Sequence, residues 1–415
     1  MMKLLSIFAI LYVIGAGSCE KARYDNYQVY SIKPRTPTEV YHLGELWKKD
    51  QFSFWNDPVD VNIPVDIMVA PHQRAQFEEL LQEFKFDAKL SIPNVQALID
   101  AEEAQQKTAP RGMEWKNYHT MKEIYDWLDE LAKKYKQVKV VVGGKSYEGR
   151  QIKGIEINFG KNLTNVFIEA GIHAREWISP AATTWMINEI LNSSSTSFFR
   201  QFNYLYFPLY NPDGYVYAWE KDRMWRKTRT PYKSGSKTCY GADPNRNWDF
   251  HWNEVGTSND PCSEIYAGPK AFSEIETKSM ANYTEMRTKT DRKSDLYLAY
   301  HSYSQMILYP WGYTTKPAPH NDVWKKIGND AAKALASVYG TNYTVGPIST
   351  TIYKVSGSSI EWYYDKLKPF IPFVYELRDK GKYGFLLPPD QILPTAVETM
   401  ASLEAILKGY KANKK

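Results

Sequence analysis

The chain is expected to fold as an α/β protein. A mixed, mostly parallel, twisted sheet with helices on both faces should follow a small α+β unit of ferredoxin-like type. Three observations predict this. Beyond residue 112, apolar runs rich in β-formers alternate with helical patterns, the order that builds a largely parallel sheet. Residues 20–111 instead pack short strands and two amphipathic helices into β-α-β-β-α-β order. A chain of 415 residues, 43% hydrophobic and 24% charged, is ample for both units.

The elements follow in order. Met1-Met2-Lys3 precedes an apolar run over 4–14 and then Gly15-Ala16-Gly17-Ser18-Cys19. A charged start, a short apolar core and small residues make residues 1–19 a signal peptide. The run is too short to span a bilayer, and no later segment reaches spanning length. A secreted, extracellular protein with no membrane association is expected.

Strands are expected over 28–32, 52–56, 66–70 and 86–90, with helices over 38–49 and 71–84. Phe77, Leu80, Leu81 and Phe84 give the second helix its apolar stripe. A polar connecting helix over 94–106 starts just after Pro93. Lys107-Thr108-Ala109-Pro110-Arg111-Gly112 then reads as an exposed linker open to proteolysis.

The second unit, 112–415, begins with a helix over 121–135 and strands over 138–143, 154–159, 165–172 and 203–209. The third of these leads through Gly171 to a helical pattern with Ser179 as N-cap and Pro180 as first residue. Asn211-Pro212-Asp213-Gly214 signals a turn. Strands over 296–300 and 371–375 and helices over 325–339 and 391–410 complete the pattern.

Composition excludes some functions. The net charge is +5, but Lys and Arg are scattered without a long basic block, which argues against nucleic-acid binding. Of three cysteines, Cys19 falls at the leader boundary. Cys239 and Cys262 remain as a pair, expected to form a disulfide outside the cell worth about 3 kcal/mol. Asn162, Asn192, Asn282 and Asn342 open glycosylation sequons.

Three of the seven histidines have a glutamate three residues later: His42/Glu45, His173/Glu176 and His251/Glu254. That spacing alone is common on helices. Only His173 sits where a strand passes through a turn into a helix, and open α/β sheets place ligands at such strand ends. Two further strands end in His301 and Glu376. Two imidazoles and one carboxylate leave a fourth position open around zinc, as a catalytic site requires. A second carboxylate could then move protons.

His173-Ala174-Arg175-Glu176, the distant His301 and Tyr375-Glu376-Leu377-Arg378-Asp379 together resemble the signatures of the zinc metallocarboxypeptidases, above all the secreted carboxypeptidase A/B subfamily. The resemblance spans essentially the whole chain. It implies a signal peptide, an activation propeptide domain over 20–111 and a catalytic domain over 112–415. It also implies one Zn2+ per chain held by His173, Glu176 and His301, with Glu376 as general base. Arg226 matches the arginine that polarises the scissile carbonyl, and Asn245 and Arg246 match the pair gripping a C-terminal carboxylate. Tyr353 matches a mobile tyrosine that closes over the bound end, Arg175 a further substrate-binding arginine, and Asp243 the carboxylate that orients the first zinc histidine. Planar guanidinium groups suit carboxylate recognition.

Specificity rests on Ile360, the position that separates apolar from basic preference in the resembled subfamily. Leu308, Gly312, Ile348, Ile352, Val355, Ser358 and Val374 occupy the other pocket positions. A Lys or Arg side chain would lack a partner there. The expected partners are peptides and proteins ending in aliphatic or aromatic residues, and a trypsin-like protease cutting at Lys107 or Arg111. A monomer is expected. Carboxypeptidase B-like specificity, a catalytically inactive zinc- or peptide-binding homologue and an extracellular structural or lectin-like module are the competing readings.

Overall fold

The structure, a computed structural model, describes residues 20–49, 51–58, 60–108, 112–290 and 292–414. The expected leader over 1–19 and the linker residue Arg111 lie outside these residues.

The first unit comprises β1 (Gln28–Ile32), α1 (Pro37–Lys48), β2 (Ser53–Phe54), β3 (Val65–Val69), α2 (Arg74–Glu83) and β4 (Ala88–Ile92). Its strands form one antiparallel sheet in the order β2-β3-β1-β4. Ile32, Leu43, Val65, Ile67 and Phe77 build the core beneath the two helices. β4 begins two residues later than expected. Lys85 takes a left-handed φ of 55° and Phe86 folds back to donate to the Leu81 carbonyl, closing α2 first. α3 (Val95–Lys107) follows, capped by Asn94, whose side chain accepts from Gln96 N–H.

The larger unit runs through α4 (Met121–Lys134), β5 (Val138–Lys145), β6 (Gln151–Ile157), β7 (Thr164–Ala170), α5 (Ile178–Asn192), β8 (Phe202–Phe207) and α6 (Pro212–Glu220). Next come β9 (Pro231–Ser234), β10 (Lys237–Tyr240), α7 (Ile275–Thr288), β11 (Ser294–Ser302), β12 (Met306–Tyr309) and α8 (Asn321–Tyr339). β13 (Thr344–Pro347), the single turn α9 (Ile348–Thr351), α10 (Ser359–Leu367), β14 (Ile371–Leu377) and α11 (Ile392–Asn413) close the chain.

Eight strands form the main sheet in the order β13-β12-β14-β11-β7-β8-β6-β5. β14, β11, β7 and β8 are mutually parallel, while β5/β6, β6/β8 and β12/β14 are antiparallel. Side chains from α4, α5, α8 and α11 pack on one face, and those from α7 and α10 on the other. Burial on both faces explains why β7, β8 and β11 are predominantly apolar.

Two local expectations are corrected. Ser179 is not the N-cap of α5; the helix begins at Ile178 after Trp177, and no side chain caps it. Ser179 is already helical, and its hydroxyl donates to the Glu176 carbonyl at 2.9 Å. Asn211-Pro212-Asp213-Gly214 is not a free turn but the start of α6. Asn211 is the N-cap, accepting from Gly214 N–H at 3.0 Å, and Pro212 takes the first helical position.

Candidate active site

Three adjacent parallel strands, β14, β11 and β7, deliver the site at their carboxyl ends. In the β11/β14 register His301 is paired with Glu376. Beyond β7 the chain turns at Gly171, whose φ is +65°. A Cβ there would sit 2.8 Å from the Pro208 carbonyl oxygen, so only glycine lets the turn pass so close. That turn carries His173 and Glu176 into the cleft.

His173, Glu176 and His301 are buried and offer donor atoms within 4.8 Å of one another. His173 Nε2 lies 3.0 Å from Asp243 Oδ1, which assigns the proton of a neutral imidazole to Nε2 and leaves a lone pair on Nδ1. That Nδ1 is 2.8 Å from Glu176 Oε1 and 3.2 Å from His301 Nδ1. His301 Nδ1 is in turn 3.1 Å from Glu176 Oε2. With each imidazole presenting the Nδ1 lone pair that a metal ligand needs, these atoms would repel unless a cation sat among them. The spacings approach the ~3.4 Å separation of ligands about 2.1 Å from a tetrahedral zinc. Two imidazoles and one carboxylate therefore fit that ion.

Around the three lie the other expected residues. Arg226 donates to Asp243 Oδ2 through Nη2 at 2.7 Å and Nε at 3.1 Å. Against the effect of burial, Arg226, His173 and Arg246 hold the Asp243 carboxyl well below the usual carboxylate range. Asn245 N–H donates to Asp243 Oδ1 at 2.8 Å. The Arg246 guanidinium lies 5.4 Å from the centre of the Tyr353 ring. Arg175 lies 4.2 Å over the Phe385 ring and 3.3 Å from Glu264. Burial pushes the Glu376 carboxyl up to about 8, with His301 pulling the other way.

One cavity of about 250 Å³ joins His173, Arg175, Glu176, Arg226, Asn245, Arg246, His301, Tyr353, Ile360 and Glu376. Leu308, Ile348, Ile352, Val355, Ser358 and Val374 also line it. Gly312 does not reach it. A Cβ there would sit 2.8 Å from Val355 Cγ1, so Val355 stands between that glycine and the cavity. Glu361 is likewise behind the wall, accepting from Gly312 N–H, Tyr313 N–H and Ser358 Oγ.

The cavity is covered from outside by the first unit, through Trp47, Phe52, Phe54, Trp55 and Asp57. Burial raises the Asp57 carboxyl, while Arg246 and Arg226 draw it down. Tyr303 donates to Asp66 of β3 at 2.5 Å. Neither aspartate was singled out from the sequence. A lone carboxylate in a polar loop or short strand carries no signal of a partner more than 150 residues away. The remaining His-x-x-Glu pairs differ in kind. His251 pairs with Glu254 at 2.9 Å but is partly exposed, and His42 stacks on Phe84. Cys239 and Cys262 are bonded to each other, tying β10 to the following loop.

Comparison with known proteins agrees with this geometry. The zinc carboxypeptidase family matches residues 124–402, and the carboxypeptidase activation peptide family matches residues 30–102. Zinc carboxypeptidase A 1 of Anopheles gambiae is 41% identical over 97% of this chain and 94% of its own length. Carboxypeptidase B of Astacus astacus is 43% identical over 72% of this chain and 99% of its own. The crystal structure of carboxypeptidase A from Helicoverpa armigera superposes with a TM-score of 0.85 at 29% identity, covering 94% of this chain and 99% of that one. With a two-imidazole, one-carboxylate zinc site at the strand ends and an activation peptide ahead of it, the chain belongs to the zinc carboxypeptidases.

Proposed function

We propose that this zinc carboxypeptidase releases aliphatic and aromatic C-terminal residues, and that it is secreted as an inactive monomer awaiting cleavage near Arg111 or Lys107. The observation that carries the specificity is Ile360, buried in an apolar wall with Ile348, Ile352, Val355 and Val374. A cationic side chain placed there would be desolvated without a counter-charge. The carboxypeptidase B relative favours a basic preference as the second reading; Ile360 opposes it.

The ion supplies Lewis acidity and a water of lowered pKa when bound. The protein's own residues divide the remaining work. Asn245 and Arg246 hold the substrate's terminal carboxylate, and Tyr353 closes beside it. Arg226, fixed by Asp243, meets the negative charge that develops on the scissile carbonyl oxygen. Glu376 takes the proton from the attacking water and returns it to the leaving amine. Arg175 contacts the substrate further from the scissile bond. Asp243 also holds His173 in the tautomer a ligand needs.

The test is direct. The purified protein is cut with trypsin and offered peptides ending in Leu, Phe or Lys. Release of Leu and Phe but not Lys is expected, with little turnover before cutting. Preferential release of Lys would replace this reading with the B-like one. No release with zinc present would leave the inactive homologue.

A further inference from the structure

We infer that Glu169, a buried carboxylate with no assigned role, is a positioning residue for the grip on the substrate's C-terminal carboxylate. The inference rests on the reading of Asn245 given above. Glu169 lies on β7, where a charged side chain interrupts an apolar strand, and it is 1% exposed. Side-chain alternation puts it on the same face of the sheet as Phe167 and, across the register from Ala299, one level beneath His301.

Three links run from it to the cleft. Ser359 Oγ donates to Glu169 Oε1 at 3.3 Å, and Tyr297 OH donates to the same Ser359 Oγ at 3.0 Å. Ser359 is the first residue of α10, immediately before Ile360. Its backbone N–H donates to Asn245 Oδ1 at 2.9 Å. An Asn245 amide whose oxygen is turned to Ser359 must present its Nδ2 hydrogens elsewhere, and Asn245 lines the cavity. Glu169 thus anchors the start of α10, the start of α10 fixes the Asn245 amide, and the amide donates into the carboxylate subsite. Glu169 Oε2 has no hydrogen-bond partner among the described residues. The Tyr297 and Tyr210 hydroxyls also face this carboxyl group, so Glu169 is held in a cluster of hydroxyls beneath the start of α10.

The experiment uses the full chain, activated with trypsin, as Glu169→Leu, Glu169→Gln, Ser359→Ala and Asn245→Ala. Four quantities are read: KM and kcat for a Leu-terminated peptide, the inhibition constant of 3-phenylpropionate as a bare carboxylate probe, and zinc content. Glu169→Leu and Ser359→Ala should each raise KM and the inhibition constant about tenfold, with kcat and zinc content retained. Glu169→Gln, which keeps an acceptor for Ser359, should restore most of the loss. The Glu169→Leu/Ser359→Ala double variant should be no worse than either single one, since both break one chain of contacts. If Glu169→Leu does not fold, Ser359→Ala and Glu169→Gln carry the test. Unchanged KM in Ser359→Ala beside a raised KM in Asn245→Ala would overturn the inference alone. A joint fall of kcat and zinc content would also overturn it, by showing a merely structural role. No effect in Asn245→Ala would overturn the reading of Asn245 and this inference with it.

Discussion

Arg223 and Glu102 form a buried two-pronged ion pair between the connecting helix and the larger unit, with Nε–Oε1 at 2.6 Å and Nη2–Oε2 at 3.1 Å. The same guanidinium donates to the carbonyls of Arg175 and Phe385 and lies 3.7 Å over the Trp177 ring. One side chain therefore touches the connecting helix α3, the turn that carries His173 and Glu176, and the Phe385 segment of the cleft. Removing only the glutamate leaves a buried, uncompensated charge, a loss of about 3 kcal/mol in the contact. Glu102→Ala should loosen the cover. The uncut variant is expected to show peptide turnover well above that of the uncut wild type, and equal turnover would argue that this pair does not hold the cover down.

Glu376→Gln keeps the shape of the side chain but cannot accept a proton from water. Turnover of a Leu-terminated peptide should fall on the order of a thousandfold, with zinc content unchanged. Elemental analysis alongside the assay separates loss of the base from loss of the metal. Retained turnover would remove Glu376 as base.

Ile360→Asp places a carboxylate in the apolar wall. Peptides ending in Lys or Arg should become substrates, while kcat/KM for Leu-terminated peptides should fall about tenfold or more. Unchanged preference would mean that selectivity lies elsewhere in the pocket.

Glu276, on α7, tests the pH dependence of stability away from the site. Burial pushes its carboxyl up to about 8, and Glu274 and Asp213 push the same way. Tyr147 N–H donates to one oxygen, and the other has no hydrogen-bond partner among the described residues. The native state thus binds a proton that the unfolded chain has already lost above its ordinary value near 4.3. Stability from this group is fully present below that value and is lost as pH rises to about 8. The slope is on the order of 1 kcal/mol per pH unit across that window. Glu276→Gln should flatten the fall of Tm with pH there and raise Tm at pH 8, and parallel Tm profiles would refute this.

The parts legible in the sequence were those with strong periodic or positional signals. His173, His301 and Glu376 each follow or end an apolar run, so their strand-end placement was readable before their proximity was. α6 was missed because Asn-Pro-Asp-Gly serves equally as a turn and as the opening of a capped helix, and only the later packing of Tyr215 and Ala218 decides. α7 was missed because its buried positions include Glu276, Thr277 and Thr284, which break the apolar stripe. Glu169 was hidden for the opposite reason. A single acid inside a strand reads as a local exception until Ser359, 190 residues away, is seen to contact it.

The pairing of His301 with Glu376 on adjacent strands has one more consequence. Their separation is set by a ladder of backbone hydrogen bonds running from Leu296/Ile371 to Ser302/Leu377. Strands slide only in whole-residue steps of about 3.3 Å, and one step turns a side chain to the opposite face. The alignment of these two groups is therefore all or nothing. Loops around the cleft can drift, lengthen or be exchanged without detuning it, and damage to the sheet should extinguish activity outright instead of grading it.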